Sequence, residues 1–178
     1  LLADDQVEAV RSIAGSGRLV DLLIGPSGSG KTTTLATVRT IWERTHGHGS
    51  VIGLAPSSTA AANLAGALGI SCENTAKWLH ESTGPGATTR AAVIDQLTTL
   101  REHTGGTDLT RLRTIDTALA DYHRQQQHWT LQPDQLLIVD EASLAGTLAL
   151  DELTRQATAA GAKMLLVGDH AQLSAVDA

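Results

Sequence analysis

Phenylalanine is absent from this chain, and the whole aromatic content is three tryptophans and one tyrosine, so any surface on which a ring or base could stack must involve Trp42, Trp78, Trp129 or Tyr122. Cysteine occurs once, as Cys72, which excludes an internal disulfide and leaves a small core residue as its ordinary reading. No apolar run approaches the ~18 residues that a membrane-spanning helix needs, and the opening Leu1-Leu2-Ala3-Asp4-Asp5 lacks the basic start of a secretory signal. These absences lead us to expect a soluble, cytoplasmic protein. An excess of positive charge is missing too: the net charge is −6, so nucleic acid cannot be held by bulk electrostatics and any contact with it must be local. With 178 residues, 42% of them hydrophobic, the chain is long enough for one well-packed core. It lacks an initiator Met and stops eleven residues after Val167, so it reads as a piece of a larger protein.

What is present alternates. Val7, Val10 and Ile13 predict a helix over 4–14, with Asp4 or Asp5 as its cap, ended by Gly15 and Gly17. Leu19 to Ile24 predicts a mostly buried strand that feeds a glycine-rich turn, followed by a helix from Lys31 to Arg44. Val51–Ala55 is a second strand, ended by Pro56, and Ser58–Leu68 a second such helix. Leu136–Val139 and Met164–Val167 are further strands, with a helix over Leu148–Ala160 between them that Gly161 ends. Strand-helix alternation of this kind predicts an α/β fold with a parallel sheet covered on both faces. Residues 84–133 break the alternation. Val93, Ile94, Leu97 and Leu100 form one amphipathic stripe and Leu109, Leu112, Ile115, Leu119 and Tyr122 another, with Gly105-Gly106 between, which predicts a helical hairpin inserted in the domain. That insertion is either a structural arm or a surface for a partner.

Gly25-Pro26-Ser27-Gly28-Ser29-Gly30-Lys31-Thr32 satisfies the eight-position P-loop pattern and stands where the mechanism requires, after a strand and at the opening of a helix. Its glycines let backbone N–H groups curl around phosphate oxygens at a helix N-terminus, where unpaired donors and the helix dipole favour negative charge. Lys31 reaches the outer phosphates, and the Thr32 hydroxyl, next to Thr33, is placed to ligate Mg2+. The buried strand Leu136–Val139 ends in Asp140-Glu141, which brings two carboxylates to the same sheet edge as the phosphates. Asp140 suits the Mg2+ shell, and Glu141 the orientation or deprotonation of the attacking water. Gly168-Asp169-His170-Ala171-Gln172-Leu173 follows the next strand, from which Gln172 could sense the terminal phosphate of ATP. The seven histidines show no metal-ligand spacing, and His46 and His48 flank a loop glycine.

Taken in order, these segments resemble the first RecA-like motor domain of superfamily 1 DNA helicases. Gln6, about twenty residues before the P-loop, resembles the adenine-recognising glutamine of that family. Asp140-Glu141-Ala142-Ser143 and the 168–173 segment resemble its second and third motifs. Ala55-Pro56-Ser57-Ser58-Thr59-Ala60-Ala61-Ala62 resembles the motif that grips single-stranded DNA backbone, and its hydroxyls and helix-start N–H groups suit phosphate. Asn74-Thr75-Ala76-Lys77-Trp78-Leu79, together with the wording around Asp140 and Gly168, is similar to the helicase part of conjugative relaxases of the TrwC type, in actinobacterial form.

The resemblance implies ATP and Mg2+ as cofactors, single-stranded DNA as a partner touched by Pro56, Ser57, Ser58, Thr59, Thr75, Lys77 and Trp78, and 5′-to-3′ unwinding. It implies a second RecA-like domain in the parent chain, carrying the arginine fingers that complete the ATP site, and an N-terminal relaxase domain. A piece without those fingers should bind ATP, turn it over slowly and not unwind DNA alone. Lys77 departs from the pattern, standing where many relatives have histidine, and Trp78 suits either base stacking or the core. Two other functions fit the same residues. A P-loop kinase would use Arg90, Arg101, Arg111, Arg113 and Arg124 of the helical insertion as a lid, and a nucleotide-gated DNA-binding or assembly module would use ATP to set conformation.

Overall fold

The computed structural model describes residues 3–26, 28–106 and 108–169. Within them the chain forms two units, one made of the residues up to Lys77 and from Gln132 onward and the other of Trp78–Leu131.

The first unit is an α/β layer structure. Its elements in chain order are α1 (Asp4–Gly15), β1 (Val20–Ile24), α2 (Lys31–His46), β2 (Val51–Ala55), α3 (Ser58–Leu68), β3 (Ser71–Asn74), the start of α4 (Thr75–Ser82), β4 (Leu136–Val139), a short 3₁₀ turn (Ala142–Leu144), α7 (Thr147–Ala160) and β5 (Lys163–Gly168). The five strands are parallel, in the order β1-β5-β4-β2-β3. A parallel sheet puts all its strand C-termini on one edge, so the residues after β1, β5, β4 and β2 converge there whatever their separation in sequence. Residues of β4 are buried on both faces, as the unbroken Leu-Leu-Ile-Val run requires. Val10 and Ile13 of α1 and Leu35 and Val38 of α2 close one core cluster with Leu136, Ile138, Leu165 and Val167. Each such side chain contributes about 1.5–3 kcal/mol on burial.

Three details differ from the sequence expectations. β1 is not mostly buried: Leu22 is 65% and Ile24 51% exposed. Among the described residues β1 pairs only with β5, so it is an edge strand with one face uncovered, which composition alone does not reveal. The cap of α1 is Ala3 rather than an aspartate, and the Ala3 N–H donates to Gln6 Oε1 at 3.1 Å while Asp4 and Asp5 occupy the first turn. Ser71–Asn74 and Thr75–Ser82 form an edge strand and a helix that the sequence pattern does not announce.

The second unit holds the rest of α4 and a hairpin of α5 (Pro85–His103) and α6 (Leu109–His128). Pro85 at the first position of α5 and Asp108 capping α6, whose side chain accepts from Arg111 N–H, set the two starts. Ile115 and Arg90 are the buried residues of the two long helices, and Trp78 and Leu131 are buried at the ends of the unit. Arg90 donates to the Glu81 carbonyl at 3.0 and 3.2 Å and to its carboxylate at 2.7 Å, which joins the last turn of α4 to α5. The guanidinium holds the Glu81 carboxyl below the usual range. No helix among the described residues is long and apolar enough to cross a membrane.

Candidate nucleotide site

The turn after β1 is built by backbone conformations that only glycine adopts cheaply. Gly28 and Gly30 have φ of +79° and +81°, and Gly30 leads directly into α2. At Gly25 a Cβ would lie 2.7 Å from Ser29 Oγ, the end of a side chain free to rotate. The Gly25 N–H donates to Gly168 O at 3.3 Å and Ser29 N–H to Pro26 O at 3.2 Å, which ties the loop to the end of β5. The Lys31 ammonium lies inside the loop, donating to Gly25 O and, at 3.1 Å, to Pro26 O. Ser27 lies outside the described residues, as does Gln172.

Gln6 reaches this loop from α1. Its Nε2 donates to Ser29 O at 3.0 Å, and it leaves no room for a Cβ on Gly30, which would lie 2.2 Å from that nitrogen. Gln6 therefore touches the P-loop itself, and its amide is engaged at both ends.

Opposite the loop, β4 delivers Asp140 and Glu141. The Asp140 N–H continues the ladder to Leu54 O at 2.8 Å, while its Oδ1 accepts from Glu141 N–H at 3.0 Å. Glu141 has φ 47° and ψ 45°, a left-handed conformation that costs a non-glycine residue about 1–2 kcal/mol and tends to persist at functional positions. Lys31, Thr32, Asp140, Glu141 and Asp169 together line a cavity of about 170 Å³, floored by Leu35, Leu64 and Val167. One cationic group, one hydroxyl and three carboxylates from the ends of three strands thus share one concavity.

That set fits Mg2+ with a nucleotide. Mg2+ is characteristically held by one or two carboxylates and a hydroxyl, with phosphates completing the shell, and Thr32 and Asp140 supply such a pair. Among the described residues no cluster of three or more His, Cys, Asp or Glu forms a self-sufficient metal cage. Cys72 takes no part: burial pushes its thiol up to about 11, the Asp140 charge adds to the rise and the Gly53 N–H opposes it.

A model of the AAA domain family matches residues 1–178. The chain belongs to the AAA domain family. It is 28% identical over 177 residues to the probable conjugal transfer protein TraA of Sinorhizobium fredii (strain NBRC 101917 / NGR234), and 28% identical over the same length to the conjugal transfer protein TraA of Rhizobium radiobacter. In both cases the match covers 99% of this chain and 12% of the relative, so the AAA domain corresponds to a small part of each.

Of the residues expected to meet DNA, Pro56, Ser57, Ser58, Thr59, Thr75 and Lys77 follow β2 and β3 at the same sheet edge. Ser57 caps α3, its Oγ accepting from Ala60 N–H at 3.1 Å, and Ser58 and Thr59 beside it are exposed, with Pro56 half-buried. Asn74 donates to Pro56 O at 3.2 Å, and the buried Thr75 hydroxyl donates to Ala55 O at 3.1 Å. Thr75 thus fixes the turn after β2 rather than presenting a hydroxyl outward. Lys77 is exposed and ion-pairs with Glu73 at 2.7 Å. Trp78 is only 4% exposed, with Trp129 edge-on at 5.8 Å, so of its two expected settings it takes the core. The part of Gln6 in P-loop contact and the left-handed Glu141 went unseen in the sequence, because both depend on tertiary packing.

Proposed function

We propose that this chain, as a whole, is the N-terminal RecA-like motor domain of an ATP-driven DNA helicase, with residues 84–133 inserted in it. The observation that carries the reading is the shared cavity of Lys31, Thr32, Asp140 and Glu141 beside a P-loop, with Glu141 held in a left-handed backbone conformation. In this reading the loop N–H groups, Lys31 and Thr33 hold the phosphates of ATP, and Thr32 and Asp140 hold Mg2+. Bound there, Mg2+ would offset negative charge on the phosphate oxygens. Glu141 takes a proton from water as the water oxygen bonds to the terminal phosphorus and the bond to ADP breaks. Gln6 supplies adenine recognition at the P-loop, and Gln172 the response to the terminal phosphate.

Single-stranded DNA is the proposed track, met by Pro56, Ser57, Ser58, Thr59 and Lys77, with the Thr75 hydroxyl fixing the turn after β2. The likeness to proteins named for conjugal transfer supports a conjugal setting for the parent chain. A relaxase domain of the TrwC kind, a second RecA-like domain, cytoplasmic location and 5′-to-3′ movement complete the proposal. Arginine fingers from the second motor domain would raise turnover by ~10³ to 10⁵, so the present chain alone hydrolyses ATP slowly.

The test is ATP turnover by the intact parent chain with and without single-stranded DNA, with Lys31→Ala as the control. Stimulation by DNA that disappears in the variant is the expected result. Turnover that ignores DNA would overturn the motor reading in favour of a kinase or a gated module.

A further inference from the structure

Of the four aromatic side chains, three are already engaged. Trp42 donates from Nε1 to Asp134 O at 2.9 Å and stacks on His46, and Trp78 and Trp129 pack on each other. Among the described residues Tyr122 has no such hydrogen bond or ring contact. It lines a concavity of about 330 Å³ that lies wholly within the helical unit, between the last turn of α4, the first turns of α5 and the second half of α6. That volume falls in the range of sites for small organic ligands, roughly 300–1,000 Å³.

The walls carry little net charge. Glu81 is neutralised by the buried Arg90 at 2.7 Å, and its carboxylate lies against the first turn of α5, where a Cβ on Gly86 would be 2.6 Å from Oε2. The positive helix start and the guanidinium are therefore already answered by an internal carboxylate, which disfavours a phosphate or carboxylate ligand. By contrast, among the described residues the Tyr122 hydroxyl, the Gln125 amide and the Thr89 hydroxyl have no side-chain hydrogen-bond partner, although all three line the concavity. Val93 and the Tyr122 ring give it an apolar side. A planar, neutral ligand with donors and acceptors on its edge fits this combination: a ring face for stacking, and an amide and hydroxyl able to donate or accept.

We infer that this concavity holds an unstacked base of single-stranded DNA, with Tyr122 as the stacking surface and Gln125 and Thr89 reading the base edge. The inference rests on the DNA-motor reading and adds to it a base site within the helical unit. Because an amide and a hydroxyl serve as both donor and acceptor, the site accepts all bases with modest preference.

The test measures binding of a fluorescein-labelled single-stranded oligonucleotide, and of the same oligonucleotide with abasic residues, to the wild-type chain and to Tyr122→Ala, Tyr122→Phe and Gln125→Ala. Gln125 is exposed, so its replacement is expected to leave the fold intact. Tyr122→Ala is expected to weaken binding about ten-fold, Tyr122→Phe much less, and the abasic oligonucleotide to bind wild type and Tyr122→Ala alike. DNA binding that is unchanged in Tyr122→Ala overturns the base site while leaving the motor reading standing. If wild type binds no DNA, titration with 2-aminopurine riboside separates the two ideas. Saturable binding lost in Tyr122→Ala supports a base site even as the DNA reading fails, and absence of nucleoside binding overturns the site.

Discussion

Replacing Lys163 with Met should destabilise the nucleotide-binding unit by about 3–5 kcal/mol at neutral pH, the range for removing one partner of a buried ion pair. Lys163 and Asp21 are 7% and 6% exposed. The Lys163 ammonium donates to Asp21 Oδ2 at 2.6 Å, Ser16 Oγ at 2.7 Å, and the carbonyls of Ser16 and Arg18 at 3.0 Å each. It thus fastens the turn between α1 and β1 to the start of β5. Methionine fills similar volume but, among the described residues, leaves the Asp21 carboxylate with the Ser16 hydroxyl and the distant, exposed Arg18 at 3.9 Å. The pH dependence follows from Asp21. Burial alone would raise its carboxyl, but hydrogen bonds from Lys163 and Ser16 outweigh burial and hold it below the ordinary value. A depressed carboxyl contributes stability that is full above the unfolded value of about 4 and lost as pH falls through the folded value. The deficit of Lys163→Met should therefore be large at pH 7 and shrink in strong acid. Urea unfolding followed by Trp42 emission, in a background with Trp78→Phe and Trp129→Phe, reads this unit alone. A deficit under about 1 kcal/mol at pH 7, or one that is the same at pH 3, would refute the reasoning.

Gly30→Ala meets both a φ of +81° and the Gln6 amide, whereas Gly28→Ala meets only a φ of +79°. Fluorescent ATP-analogue titrations should therefore show a larger affinity loss for Gly30→Ala, and equal losses would mean that Gln6 does not matter to the loop. The Cys72 thiol, at about 11, is about one-thousandth thiolate at pH 8, so iodoacetamide should label it about a hundred times more slowly in the folded chain than in urea. Lys77→Ala should weaken single-stranded DNA binding and reduce the salt slope of log K by about 0.7, as expected for loss of one phosphate contact. An unchanged slope would remove Lys77 from the DNA surface.

Much of the nucleotide site was legible because it rests on local rules. Gly28 and Gly30 must adopt positive φ, the Leu136–Val139 run must be a buried strand, and parallel pairing then carries Asp140 to the P-loop edge. What escaped were properties set by neighbours distant in sequence. Leu22 and Ile24 look like core residues until the strand order puts β1 at an edge. Ser71-Cys72-Glu73-Asn74 has no apolar alternation and becomes a strand through pairing with β2. Trp78 was compatible with base stacking or the core, and its 4% exposure is a tertiary outcome. The left-handed backbone of Glu141 has no signature in composition, since glycine or asparagine is the usual occupant of that region.

The central claim, that one cavity binds Mg-ATP and positions a water-activating carboxylate, is tested most directly by calorimetric titration of Mg-ATP into the 178-residue chain, its Lys31→Ala variant and its Glu141→Gln variant, with phosphate release followed in parallel. The account predicts saturable binding by wild type, loss of at least ten-fold in affinity for Lys31→Ala, and near-wild-type affinity without phosphate release for Glu141→Gln, estimates that follow from the separate roles of phosphate binding and water activation. Binding that survives Lys31→Ala unchanged, or phosphate release that survives Glu141→Gln, would contradict it.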